Sequence, residues 1–247
     1  KMNRIGYKLK YEESEDFVMK FSTILRFYFR LYSHVEIYLK SLPSNAVAFS
    51  DFLTIVSERG YSCSFHFPNN VLENEEVFSL FQSFLNLRIL KNYPIIVHYH
   101  NGPLLQRLQE LSNIIYLENE AYDNLDEFQQ YKTAISELYK RKSNIKMCLD
   151  LGHLMKTLLR SNNYSDKVLF DFIAGIEKDC IGEFHIHGVR GEKDHAHLRF
   201  FGENPKDLIR SIALNFGQVP FVLETKGVEI FSEGKTQIGF FSDSDDI

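Results

Sequence analysis

The sequence predicts a single (β/α)8 barrel, and three observations carry that prediction. Eight short runs rich in Val, Ile, Phe and Leu alternate with longer segments of helical periodicity, the pattern of βαβ units that close a parallel sheet. The chain has 247 residues, a size at which α/β barrels form one domain. Eight of its nine histidines fall where one of those runs stops or just beyond it, the end at which a barrel gathers its functional groups.

In order, the expected strands are residues 4–8, 35–39, 62–67, 95–98, 114–118, 145–150, 182–187 and 220–224. Expected helices between them include 51–59, 75–90, 104–111, 125–140, 165–178 and 205–216. No Pro/Gly/Ser-rich linker divides the chain, so residues 1–240 are expected to form one barrel domain, with 241–247 (Ser-Asp-Ser-Asp-Asp within it) as a polar tail. The stretch after Glu224 is short, contains Gly227, Gly234 and Gly239, and has weak helical periodicity, so the last helix is expected to be missing or rebuilt.

Composition excludes some classes of partner. With 28 basic and 33 acidic residues the net charge is -5, which gives no footprint for an extended polyanion such as duplex DNA. The loops expected at the mouth are short and carry few Arg or Lys, which points instead to a small-molecule substrate. Cys63, Cys148 and Cys180 sit in apolar runs at wide spacing, so they read as buried thiols in a reducing compartment. The first residues lack a charged-then-apolar signal, and no run approaches the roughly 18 apolar residues of a membrane helix. The cytoplasm is the expected compartment, without a membrane partner.

From the third strand onward each run ends in a group able to bind metal: His66, His98, Glu118, Asp150 with His153, His185, and Glu224. Imidazole and carboxylate together are the ligand set of zinc, manganese and iron. A single histidine at a strand end is more often a hydrogen-bonded rim residue than a ligand, and Glu118 or Glu224 alone reads as a helix-cap partner. Six strand ends in agreement outweigh those separate readings. Cys-Leu-Asp-Leu-Gly-His is the most specific local motif, with Asp150 closing a strand and His153 on the first turn of the next helix. Strand alternation favours Glu118 over Glu120 as the inward carboxylate. The densest stretch runs from His185 through His187 to Asp194, His195 and His197, and spacing alone leaves open which of its members bind. His100, His187 and His197 are the first to give up. Tyr99, Tyr122 and Phe67 lie beside proposed ligands and offer a stacking wall for a ring-bearing substrate, although core packing is the default reading for each.

The order His66, His98, Glu118, Asp150-x-x-His153, His185, Asp194/His195 and Glu224 resembles the xylose-isomerase-like barrel superfamily, which includes the apurinic/apyrimidinic endonucleases of family 2 and many sugar isomerases and epimerases. The resemblance implies that Glu118, Asp150, His185 and Glu224 hold one divalent metal. In the endonuclease branch it implies a three-zinc cluster completed here by His66, His98, His153 and a pair from Asp194, His195 and His197. Val-Glu-Ile-Tyr-Leu near Ser-Leu-Pro-Ser, Phe-His-Phe-Pro, Cys-Leu-Asp-Leu-Gly-His-Leu, and His-Ile-His-Gly-Val followed by Asp-His are similar to the cobamide-remodelling phosphodiesterases of the same superfamily, which act on the nucleotide loop of corrinoids. The chain departs from the endonuclease pattern in two places. Asp194-His195-Ala196-His197 stands where Asp-x-His is usual, and Gly202-Glu203-Asn204 where Gly-Glu-Gly is usual. Arg190 and Arg199 are available to orient a sugar, but neither has a diagnostic spacing.

Two chemistries follow as expectations. One is a hydrolase of a phosphoester in a small metabolite, nucleotide or corrinoid, using one to three Zn2+ ions. The other is a sugar or sugar-phosphate isomerase or epimerase using one Mn2+ or Mg2+, with Glu118 and Glu224 as the catalytic pair that moves a proton between carbons. The extra histidines favour zinc and hydrolysis. A catalytically silent binding barrel is the third expectation.

Overall fold

A computed structural model describes residues 4–11, 32–43, 46–58 and 62–225. Eight parallel strands close the barrel: β1 (Ile5–Lys10), β2 (His34–Tyr38), β3 (Cys63–His66), β4 (Ile95–His98), β5 (Ile115–Glu118), β6 (Ile145–Asp150), β7 (Ile181–Ile186) and β10 (Phe221–Leu223). Each coincides with a predicted run to within two residues. Every neighbouring pair is parallel, and β10 returns to β1 through Phe221 beside Ile5. The remaining pair, β8 (Gly188–Arg190) and β9 (Lys193–Ala196), forms an antiparallel hairpin at the mouth.

Helices α1 (Ala46–Glu58), α2 (Glu75–Leu85), α3 (Pro103–Arg107), α4 (Leu125–Arg141), α5 (Leu151–Arg160), α6 (Asp166–Ala174) and α7 (Pro205–Asn215) lie between the strands. Local chemistry sets several of their ends. Asn74, Asn124 and Ser165 accept first-turn amides of α2, α4 and α6 through their side chains, each satisfying donors the helix cannot. Three expected helices are shorter than their periodicity. The segment 75–90 stops at Leu85, and Leu87 turns extended before a 3-10 turn, Arg88–Asn92. Segment 104–111 divides into α3 and a second 3-10 turn, Leu108–Glu110. Segment 165–178 stops at Ala174, ahead of Gly175, whose backbone closes the last turn onto Asp171. The polar tail and the stretch after Thr225 lie outside the described residues.

Between sheet and helices the core is aromatic. Phe49 and Phe52 of α1 pack against Tyr11, and Phe49 also meets Phe65 of β3 edge-on; burying each such ring contributes roughly 1.5–3 kcal/mol. Inside the barrel the filling is different. Glu36, Ser64, Glu183 and His185 are all fully buried, and register places Lys8 beside Glu36 and Glu36 beside Ser64. Among the described residues, no helix is long and apolar enough to cross a membrane.

Candidate metal centre

Strand register builds the site. His98 pairs with Glu118 across β4 and β5, and Asp150 pairs with His185 across β6 and β7, so side chains far apart in sequence stand level at one end of the barrel. Among the described residues the candidate ligand atoms fall into four groups, each with its atoms within 4.8 Å of one another. One is His66, His98 and Glu118; the second Glu118, Asp150, His185 and Glu224; the third His153, His187 and His195; the fourth Glu36, His66, His185 and Glu224. Glu118 belongs to the first two. Asp150 joins the second to the third, with His187 Nε2 3.2 Å and His153 Nδ1 3.4 Å from its carboxylate.

The backbone around Asp150 is held on both sides. The buried amide of Asn119 accepts from the Asp150 N–H at 2.8 Å and donates to the Asp150 carbonyl at 3.1 Å. The Asp150 side chain caps α5 by accepting from the His153 N–H at 2.9 Å. That cap is the physical content of the Asp-x-x-His spacing: the same carboxylate starts the helix and faces the imidazole three residues on. Gly152 has its own reason. A Cβ there would lie 2.2 Å from the His187 ring, so only glycine lets this imidazole pack on the first turn of α5. Gly152→Ala is expected to displace His187 and weaken zinc binding at the third group by about 10-fold or more, as for a disturbed metal surround, measured by chelator competition.

The hairpin explains the dense histidine stretch. Gly191, at φ 61, opens the two-residue turn between β8 and β9, a conformation glycine adopts without strain. The chain then doubles back, and His195 lands over His187 with ring centroids 4.3 Å apart. His195 itself has φ 52, a costly backbone for a residue with a Cβ and one that clusters at functional sites.

Hydrogen bonds select which nitrogens face inward. His153 Nδ1 lies 3.1 Å from the Asn119 carbonyl and His195 Nδ1 3.0 Å from the Glu224 carbonyl. As Nδ1–H donors, both rings turn an Nε2 lone pair toward the centre. His187 Nδ1 meets the Gly188 carbonyl at 3.0 Å and the His195 N–H at 2.9 Å, contacts that need opposite tautomers; with Nε2 given to a cation, the ring would take the Nδ1–H donor form.

Among the described residues five buried carboxylates share this space: Glu36, Glu118, Asp150, Glu183 and Glu224. Burial alone would raise their pKa values, but facing cations more than offset it. His185, His98 and His66 hold Glu118 at about 2. His185 and Lys8 hold Glu36 and Glu224 well below the usual range, and His153 and His187 do the same for Asp150. Conversely, burial opposes charge on His187, yet Asp150 pushes it up to about 9. Glu183, below the centre, is met by Ser64 at 3.0 Å and His34 at 3.4 Å.

These residues fit a divalent-ion centre. His66 Nε2, Glu118 Oε2, Asp150 Oδ2 and His187 Nε2 are buried without a hydrogen-bond partner, a costly arrangement for a protein interior unless a cation satisfies it. Metal must displace protons from the raised imidazoles, so affinity should rise about tenfold per pH unit for each such proton, levelling near pH 9 for His187; zinc titrations from pH 6 to 9 measure the slope. In the metal-free chain the sign is reversed. A pKa raised from 6.5 to about 9 contributes stability below 6.5 that is lost as pH rises through about 9.

All nine sequence-proposed ligands border this region. His66, His98, Glu118, Asp150, His153, His185 and Glu224 are buried, and Asp194 and His195 are partly exposed on the hairpin. Asp194 Oδ2 is 3.9 Å from His153 Nε2. Glu120 faces the rim, paired with His98, leaving Glu118 as the inward carboxylate. Glu118 and Glu224 approach the same nitrogen, His185 Nδ1, at 2.8 and 2.9 Å. His100 is half-exposed beyond the cluster, near Glu73, and His197 caps a 3-10 turn through Arg199 N–H. His187 is different. Ranked among the first to give up, it is fully buried in the third group because the hairpin, which strand alternation does not reveal, folds back over it.

Sequence reasoning passed over Lys8 and Glu36, which sit inside strands rather than at their ends. The available signal was a charge within an apolar run, Val-Glu-Ile and Tyr-Lys-Leu, since such residues are buried only when paired. The lysines of the mouth come from a strand and not from its loops: Lys8 and Lys10 of β1 line its cavity of about 600 Å³. Its aromatic wall is Tyr7 and Tyr38. Phe67 instead packs on Phe81, while Tyr99 and Tyr122 both pack on Tyr131.

No family model matches the sequence, and no curated protein matches it. Among solved structures the chain is similar to a putative uncharacterized protein from Parabacteroides distasonis ATCC 8503, at 13% identity over 97% of this chain and 98% of that one, with a TM-score of 0.52. An HpcH/HpaI aldolase from Desulfitobacterium hafniense DCB-2 aligns over 98% and 94% of the two chains at 6% identity, but its TM-score of 0.47 is too low to carry an argument. The first likeness speaks to the fold alone. The protein is a (β/α)8 barrel with buried His/Glu clusters that can hold metal.

Proposed function

We propose that the chain is a zinc-type hydrolase of phosphoesters in small metabolites, nucleotides or corrinoids, of the xylose-isomerase-like kind with the endonuclease branch's ligand order. The observation that carries this reading is the continuity of three ligand groups, joined through Glu118 and Asp150. A single-ion isomerase needs only the second group and leaves His66, His98, His153, His187 and His195 unemployed. Moreover, Glu118 and Glu224 converge on one imidazole rather than facing each other across the cavity as two separate bases.

Bound divalent ions supply Lewis acidity and acidify water toward neutral pH. The chain's own part is placement and charge. Asn119 and the α5 cap fix Asp150, and carbonyl-anchored imidazoles hold their Nε2 atoms inward. Lys10 gives the wall of the mouth positive charge suited to a phosphoryl group, while Tyr7 and Tyr38 offer faces to a ring. The cavity volume suits a metabolite and not a duplex. The test sets hydrolysis of bis-p-nitrophenyl phosphate by zinc-loaded protein beside epimerisation of a ketose by the manganese-loaded form. Hydrolysis alone supports the reading; epimerisation alone overturns it in favour of the isomerase, and neither points to a binding barrel.

A further inference from the structure

The fourth ligand group differs from the other three in already containing a cation. The Lys8 ammonium lies 3.0 Å from Glu36 Oε1 and 2.9 Å from His66 Nδ1, and is paired with Glu224. It therefore touches three of the four residues in that group. Its side chain is 20% exposed, on the wall of the mouth, whereas Glu36 is wholly buried.

We propose that Lys8 is a resident cation that keeps metal out of the Glu36/His66/His185/Glu224 position and leaves Glu36 free to orient two imidazoles toward the other groups. The inference rests on the reading of this region as a metal centre. Its chemistry follows from what the Glu36 carboxylate faces. His66 Nδ1 also lies 2.9 Å from Glu36 Oε1, and His185 Nε2 is 2.5 Å from Glu36 Oε2. One carboxylate thus stands behind two imidazoles, on the side away from Glu118. Lys8 and Glu36 need opposite tautomers of His66, since the ammonium can only donate to Nδ1 and the carboxylate can only accept from it. In the form that gives its Nδ1–H to Glu36, His66 directs its Nε2, 3.2 Å from Glu118 Oε2, to the first group. With its Nε2 edge facing Glu36, His185 directs Nδ1 to Glu118 and Glu224 in the second. Such outer carboxylates fix the tautomer and raise the basicity of metal-binding histidines. A divalent ion on Glu36 would take both imidazole edges and undo that arrangement. The lysine satisfies the carboxylates with one charge that cannot pull the histidines round.

The experiment counts zinc per chain on the full-length protein, dialysed against Zn2+ alone, for wild type, Lys8→Met and Lys8→Arg, with circular dichroism as the check of folding. Lys8→Gln replaces Lys8→Met if the latter is insoluble. One additional equivalent in the neutral variant, with Lys8→Arg equal to wild type, is the expected result. Equal counts and affinities in wild type and the neutral variant overturn the inference while leaving the metal centre in place, and so does a neutral variant that binds less. A wild type without zinc beside a neutral variant that binds one ion supports the role of Lys8 and overturns the wild-type metal centre. No zinc in either overturns both.

Discussion

Asp150→Asn should keep the fold, with some loss of stability because His153 and His187 then face an uncharged amide, and lose zinc affinity and any hydrolytic activity by about 100-fold, the upper end for a disturbed metal surround. Folding is retained because asparagine caps a helix as well as aspartate, so the acceptor for the His153 N–H survives. What disappears is the negative charge on which the second and third groups meet. Removing it also removes the main attraction on His187, whose proton should then leave at a pH well under the present value of about 9, an independent readout by NMR of the imidazole. Unchanged zinc affinity in a folded Asp150→Asn chain would place the centre elsewhere.

Glu118→Gln has the next largest expected effect, and its signature is stoichiometric. Glu118 serves both the His66/His98 group and the Asp150/His185/Glu224 group, so its neutralisation should lower the zinc count by more than one ion. His98→Ala, which touches only the first group, should cost a single ion. Equal losses in the two variants would mean that the carboxylate is not shared. Some fall in fold stability is expected as well, because the substitution leaves the buried imidazoles of His66, His98 and His185 facing an uncharged amide.

The eight strands were legible because each is a short apolar run bounded by breakers, and the convergence of His66, His98, Glu118, Asp150, His185 and Glu224 followed once those runs were closed into a barrel. What escaped was whatever depends on register inside the barrel or on the path of a loop. Lys8 and Glu36 become neighbours only through the pairing of β1 with β2. His187 looks expendable until the Gly191 turn brings His195 back over it. Helix ends slipped for a related reason, since periodicity continues past Leu85 although the backbone at Leu87 is extended. The role of Gly152 rests on a close approach that no local pattern encodes.

The most direct test of the polynuclear centre is to locate zinc by anomalous scattering in crystals of metal-replete protein. Peaks are expected in at least two of the three linked groups, His66/His98/Glu118, Glu118/Asp150/His185/Glu224 and His153/His187/His195, with none beside Lys8. A replete crystal with no peak among these residues would contradict the account, and a single peak confined to the second group would transfer it to the one-ion isomerase.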